Sequence, residues 1–162
     1  METRRLADEL RRAWEGPVWH GPALGELLGE VTAAEAAAHP IPGAHSIWEI
    51  VLHATGWARE VESRLSGGEP ALPAEGDWPE APYAPAPEMW EEARAALADI
   101  HRRLQETIAG FPEERLREKI GTEFSPSLGT GIPYRAMIQG LAQHDAYHGG
   151  QIAILKKALR SG

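Results

Sequence analysis

The stretch PYRAMIQGLAQHDAYHGGQIAILKKAL, residues 133–159, decides how the chain folds. Met137, Leu141, His144, His148, Ile152, Leu155 and Leu159 recur at three- and four-residue intervals, the spacing that puts side chains on one face of a helix. Pro133 suits a helix start, because a first-turn residue has no intrahelical partner for its N–H. Two features interrupt this amphipathic pattern. The stripe carries two histidines among its aliphatic residues, and Gly149 and Gly150 stand in the helix interior, where each costs about 1 kcal/mol against Ala. Close approach of a backbone or substrate would explain the glycines, as would tight helix packing, and packing is the favoured reading.

The same periodicity extends outward to three more long helices. Residues 3–15 place Leu6, Leu10 and Ala13 or Trp14 on one side before Gly16 and Pro17 stop the run. Ser46 with Glu49 three residues on forms a capping box for a helix over 47–66 that ends at Gly67 and Gly68. Its stripe is Ile50, His53, Ala54, Trp57, Val61 and Leu65. A third helix opens near Pro87 and runs to Gly110, with Trp90, Leu97, Ile100, Leu104 and Ile108 inward. Two short helices are expected around 22–29 and 32–39, the second capped by Thr32 and Glu35. The Pro- and Ala-rich stretch GGEPALPAEGDWPEAPYAPAP, residues 67–87, breaks helices repeatedly and reads as a long connection pinned by Trp78 and Tyr83. The expectation is all-α: a four-helix bundle in a single domain over residues 1–162, with this connection between the second and third long helices.

Composition narrows the function classes. No apolar run approaches the ~20 residues of a membrane span, and the charged start METRRLADELRRAW lacks the pattern of a secretory signal, so a cytoplasmic protein is expected. A net charge of -8 opposes a phosphate backbone, which argues against nucleic acid as a partner. Without cysteine the chain has no disulfide, no thiolate ligand and no thiol nucleophile, so any metal must be held by His, Asp or Glu. Thirteen prolines, four glutamines and no asparagine form a composition met in heat-adapted proteins, and thermostability is expected.

His53, His144 and His148 all fall on apolar stripes, where an imidazole needs a partner. Four residues apart on one helix, His144 and His148 stand about 6 Å apart at Cβ, and both rings can reach one ion at roughly 2.1 Å. A facing His53 would complete a three-nitrogen set, as bundles build metal sites from inward side chains. Spacing alone leaves this level with hydrogen-bonded core histidines. His101 reads as a flank residue, and His20, His39 and His45 as capping or solvent residues. The segment His144-Asp145-x-x-His148 mimics the HExxH helix of zinc proteases, yet the 14 residues after His148 offer no third ligand, which argues against that plan. Asp145 reads equally as a flanking carboxylate, one that supports a ligand, or a catalytic group. Trp48, Trp57 and Tyr147 wall a pocket or belong to the core, and Gln151 either hydrogen-bonds a substrate or is exposed.

At these residues, in GAHSIWEIVLHATGW (43–57) and QHDAYHGGQIAILKKAL (143–159), the sequence resembles the DinB family of small helical proteins grouped as metalloenzyme candidates. The resemblance extends over nearly the whole chain, and the family's three metal-binding histidines fall on His53, His144 and His148. It implies a divalent metal, Zn or Ni foremost, and a homodimer. Characterised relatives include thiol S-transferases that use bacillithiol or mycothiol and thiol-dependent maleylpyruvate isomerases. The implied function is therefore a metal-dependent transferase of detoxification type, using an external low-molecular-weight thiol and an electrophile as its small-molecule partners. Tyr147, Gln151 and Asp145 are the candidate catalytic residues. A metal-dependent hydrolase and a non-catalytic metal-binding stress-response module are the alternatives.

Overall fold

The computed structural model describes residues 1–160, and among them every regular element is helical. The order is α1 (Glu2–Glu15), α2 (Leu24–Leu28), α3 (Ala33–Ala37), α4 (Ile47–Leu65), α5 (Pro87–Gly110), a 3-10 turn (Glu113–Arg117) and α6 (Tyr134–Arg160). The helix ends follow the local chemistry. Ser46 accepts from the Glu49 amide while the Glu49 carboxylate accepts from Ser46 N–H at 2.8 Å, and Thr32 and Glu35 repeat the arrangement at α3. Pro87 occupies the first turn of α5.

The apolar stripes dictate the packing. α5 packs against α1 and α4, and α6 packs against the same two helices from the other side. Leu10, Leu97, Ile100, Leu104, Ile108 and Ile152 are fully buried between them. Trp48 joins this core, with its ring 5.1 Å from Trp90. Trp90 in turn donates its indole N–H to Val31 O at 2.6 Å, tying the short helices to α5.

Two irregular segments join the long helices. In residues 111–132, after the 3-10 turn, the chain doubles back, Ile120 N–H donating to Ile132 O at 2.9 Å and Gly131 N–H to Ile120 O at 2.7 Å. Gly131 has φ +78°, and a Cβ there would lie 2.7 Å from the Phe124 backbone, so only glycine fits. In the connection before α5, Trp78 is half-buried as expected, but Tyr83 is fully exposed and pins nothing. A buried ion pair replaces it: Arg64 and Glu60 meet at 2.8 Å on α4, with Glu60 accepting from Ala71 N–H and Arg64 donating to Ala71 O and Leu128 O. One turn apart on a helix, these two side chains hold both irregular segments against α4.

Candidate metal centre

α4 and α6 face each other, and His53 from the one meets His144 and His148 from the other. The Nε2 atom of His144 lies 3.0 Å from Nε2 of His53 and 3.0 Å from Nε2 of His148, and one ligand atom from each residue falls within 4.8 Å of the others. The remaining ring nitrogens fix which atoms carry protons. His53 Nδ1–H donates to the Asp77 carbonyl at 2.6 Å, and His148 Nδ1–H donates to Gln151 Oε1 at 2.6 Å. In the neutral rings both Nε2 atoms are then bare lone pairs, and both point at His144. His144 has a single proton to offer, and its own Nδ1 is buried with no partner among the described residues. Three imidazoles thus converge with more acceptors than protons, an arrangement that a shared cation satisfies.

Burial keeps the rings neutral. Desolvation lowers the pKa of His53 and His148, and takes His144 down to about 3 with help from its two neighbours. Neutral imidazole is the form that binds a metal, so protons compete weakly here. The residues fit a divalent ion: His53, His144 and His148 would hold it through Nε2, with their other nitrogens engaged as metal-bound histidines require.

The connection supplies most of the support. Trp78 stacks on His53 with ring centres 3.8 Å apart and on its other face stacks on His45 at 3.6 Å. Asp77, whose carbonyl holds His53, also accepts from the Trp57 indole N–H at 2.7 Å. Sequence reading missed Asp77 and treated His45 as a capping or solvent residue. His45 is half-exposed, yet it is the outer layer of this stack. The signal for Trp78 is an aromatic stranded in a Pro-rich stretch, which marks an anchor but not its target.

The candidate catalytic residues separate. Gln151 engages His148. Tyr147 is 66% exposed, with its ring 5.1 Å from His148, at the rim of the centre. Asp145 is only 1% exposed and turns away from the cluster toward His101 on α5, the closest approach being 3.6 Å. A residue next in sequence to His144 lies about 100° further round the helix, so it cannot serve the same ion from the same side. His101, expected at a flank, is instead fully buried and stacked on Trp14 at 4.7 Å, and burial lowers its pKa to about 4. His39 stays exposed, 3.2 Å from Glu49. His20 is exposed beside α2, as expected for a loop. Gly149 meets the tight-packing reading only in part: a Cβ there would touch Leu27 at 3.4 Å, whereas one on Gly150 would meet nothing.

Two hollows flank the cluster. One of about 180 Å³ is bordered by Trp57, Val61, Gly140, Leu141 and His144. The other, about 290 Å³, lies at His45, Ile50 and Gln151.

The model of the DinB superfamily matches residues 18–152, a span that includes all three histidines. Among solved structures, one described as the conserved protein of locus from Enterococcus faecalis superposes with a TM-score of 0.67 at 17% identity, covering 99% of this chain and 98% of its own, which establishes a shared fold. No curated protein matches the chain. With that family match extending over most of its length, the chain belongs to the DinB superfamily.

Proposed function

We propose that this protein is a metal-dependent transferase that joins a low-molecular-weight thiol to a small electrophile, with His53, His144 and His148 as the protein ligands of a divalent ion. The observation that carries the reading is the convergence of three Nε2 atoms whose partner nitrogens on His53 and His148 are already engaged. Imidazole donors suit Zn and Ni, which are the metals of choice. Bound there, the ion would supply Lewis acidity that favours the deprotonated form of a coordinated thiol or water.

The protein's own residues do the rest. His53 and His148 are held in one tautomer by Asp77 and Gln151, so the donor set is organised before any ligand arrives. Trp57, Val61 and Leu141 give the hollow beside His144 an apolar wall against which an electrophile's carbon skeleton would lie. Tyr147, exposed at the rim, would orient the electrophile, and Gln151 acts by holding His148. Asp145, facing the opposite side, takes no part in this chemistry. The thiol proton leaves to solvent, the sulfur lone pair forms the new bond to carbon, and the leaving group departs with its electron pair. A chain without cysteine takes its thiol from outside, in keeping with this reading.

The same reading takes α1, α4, α5 and α6 as a four-helix bundle, supported by the ring of contacts in which each long helix touches two others. It takes the working species as a cytoplasmic homodimer, with exposed Trp19, Phe124 and Ile154 available for association. Among the described residues, no helix is long and apolar enough to cross a membrane.

The test supplies bacillithiol, mycothiol or glutathione with a monohalobimane to the metal-loaded protein. Conjugation above the uncatalysed rate that disappears on chelation and in His144→Ala is the expected result. Equal rates in the metal-free protein would overturn the thiol mechanism, and thiol-independent ester hydrolysis by the metal form would assign a hydrolase instead.

A further inference from the structure

On the other side of α6 from the histidine cluster lies a cavity of about 390 Å³ between α1, α2 and α6, to which none of the three histidines contributes. Its walls are apolar: Leu24, Leu27, Ala146 and Ala153. Gly149 and Gly150 of α6 border it, and beside Gly150 there is open space where a side chain would stand. Helix packing therefore explains Gly149 in part and Gly150 not at all, although each glycine costs about 1 kcal/mol of helix stability. The floor contains Asp145, almost wholly buried, whose Oδ2 has no hydrogen-bond partner among the described residues. The mouth is basic. Lys156 and Arg160 border it, with Glu35 near enough to feel both charges, and they are the groups at this cavity that can meet an anion. Lys156 spends one donor on Leu27 O at 2.6 Å and keeps two more.

Apolar walls with a few convergent polar groups are what small-molecule sites have in common. We propose that this cavity is a second binding site, distinct from the metal centre, for a small organic monoanion with an apolar body. The carboxylate end sits at Lys156 and Arg160 and the apolar body lies along Leu24, Leu27 and Ala153. Gly149 and Gly150 leave the room in which that body rests.

The probe is octanoate, titrated into zinc-loaded protein and followed by the amide resonances of Gly149, Gly150 and Ala153. Saturable shifts at these amides are expected, with octan-1-ol and octylammonium binding at least tenfold more weakly because they lack the anion. Gly150→Leu, which fills open space and favours the helix, should abolish the shifts, and Arg160→Glu should weaken binding at least fivefold. Both variants should keep the metal content of the parent, so failure here is separable from failure of the metal centre. The proposal is overturned if octanoate moves none of these amides at millimolar concentration, if octanol binds as tightly, or if Gly150→Leu binds as the parent does. It is equally overturned if the amides move with protein concentration rather than with octanoate, since a second copy of the chain would then be the occupant.

Discussion

The two sides of α6 are built from interleaved residues and treat polar groups in opposite ways. On the side of α4, His144, His148 and Gln151 meet His53, and two of the three rings have an acceptor behind them. On the side of α1 and α5, Asp145 and His101 lie 3.6 Å apart, and among the described residues both His101 nitrogens and Asp145 Oδ2 lack a hydrogen-bond partner. The first arrangement organises lone pairs toward one point. The second leaves polar groups buried and unsatisfied, a costly condition that stable proteins seldom tolerate without a use. Adjacent residues of one helix can therefore belong to different sites.

The sharpest way to break this comparison is to remove one residue from each side. His148→Ala should weaken divalent metal binding on the order of a thousandfold, about 4 kcal/mol, whereas Asp145→Asn should leave it within about threefold. Competition against a chromophoric chelator measures both, and an equal loss in the two variants would merge the sides into one site.

Acid stability probes the other side. Burial holds His101 down at about 4, so above pH 6.5 both the folded and unfolded states carry a neutral ring and nothing depends on pH. Between 6.5 and 4 the unfolded state takes up a proton that the folded state refuses, and stability falls as pH falls. The shift corresponds to on the order of 3 kcal/mol. His101→Phe should remove that share, giving metal-free protein a shallower loss between pH 6.5 and 4.5 in urea unfolding. Asp145 has the opposite sign, because burial raises its pKa well above the usual carboxylate range and acid favours its folded, neutral form. Asp145→Asn should accordingly steepen the acid loss.

A smaller effect tests the support of the metal side. Trp78→Ala removes the stack on His53 and loosens the Asp77 carbonyl beside it, which should lower metal affinity ten- to a hundredfold. Trp78→Phe should keep most of it. Smaller still, Gln151→Ala should cost about tenfold through the lost acceptor on His148. His39→Ala, exposed and outside the centre, should leave metal affinity unchanged within error of the same titration.

How much of this was legible in the sequence differs by residue. The starts of α4 and α5 could be read because a capping serine and a first-turn proline act on amides within four residues of themselves. The pair His144 and His148 could be read for the same reason, since helical pitch alone brings them together. His53 required a guess about which faces meet, and that guess placed it correctly. The guesses at Tyr83 and His101 failed. A fully exposed tyrosine and a fully buried histidine carry the same local signals as the opposite cases, and burial is set by the helix that docks above them.

By itself, then, the sequence determined the helices, their apolar faces and a histidine pair of metal-ligand spacing, because these follow from interactions within one or two turns. Only the tertiary structure decided that Asp77 and Trp78, 24 and 25 residues beyond His53, hold its ring, that Asp145 belongs with His101 rather than with His144, and that a cavity opens beside Gly150. Each of those depends on how separate elements dock. Docking is the sum of many weak contacts between residues far apart in the chain, and no local pattern records it.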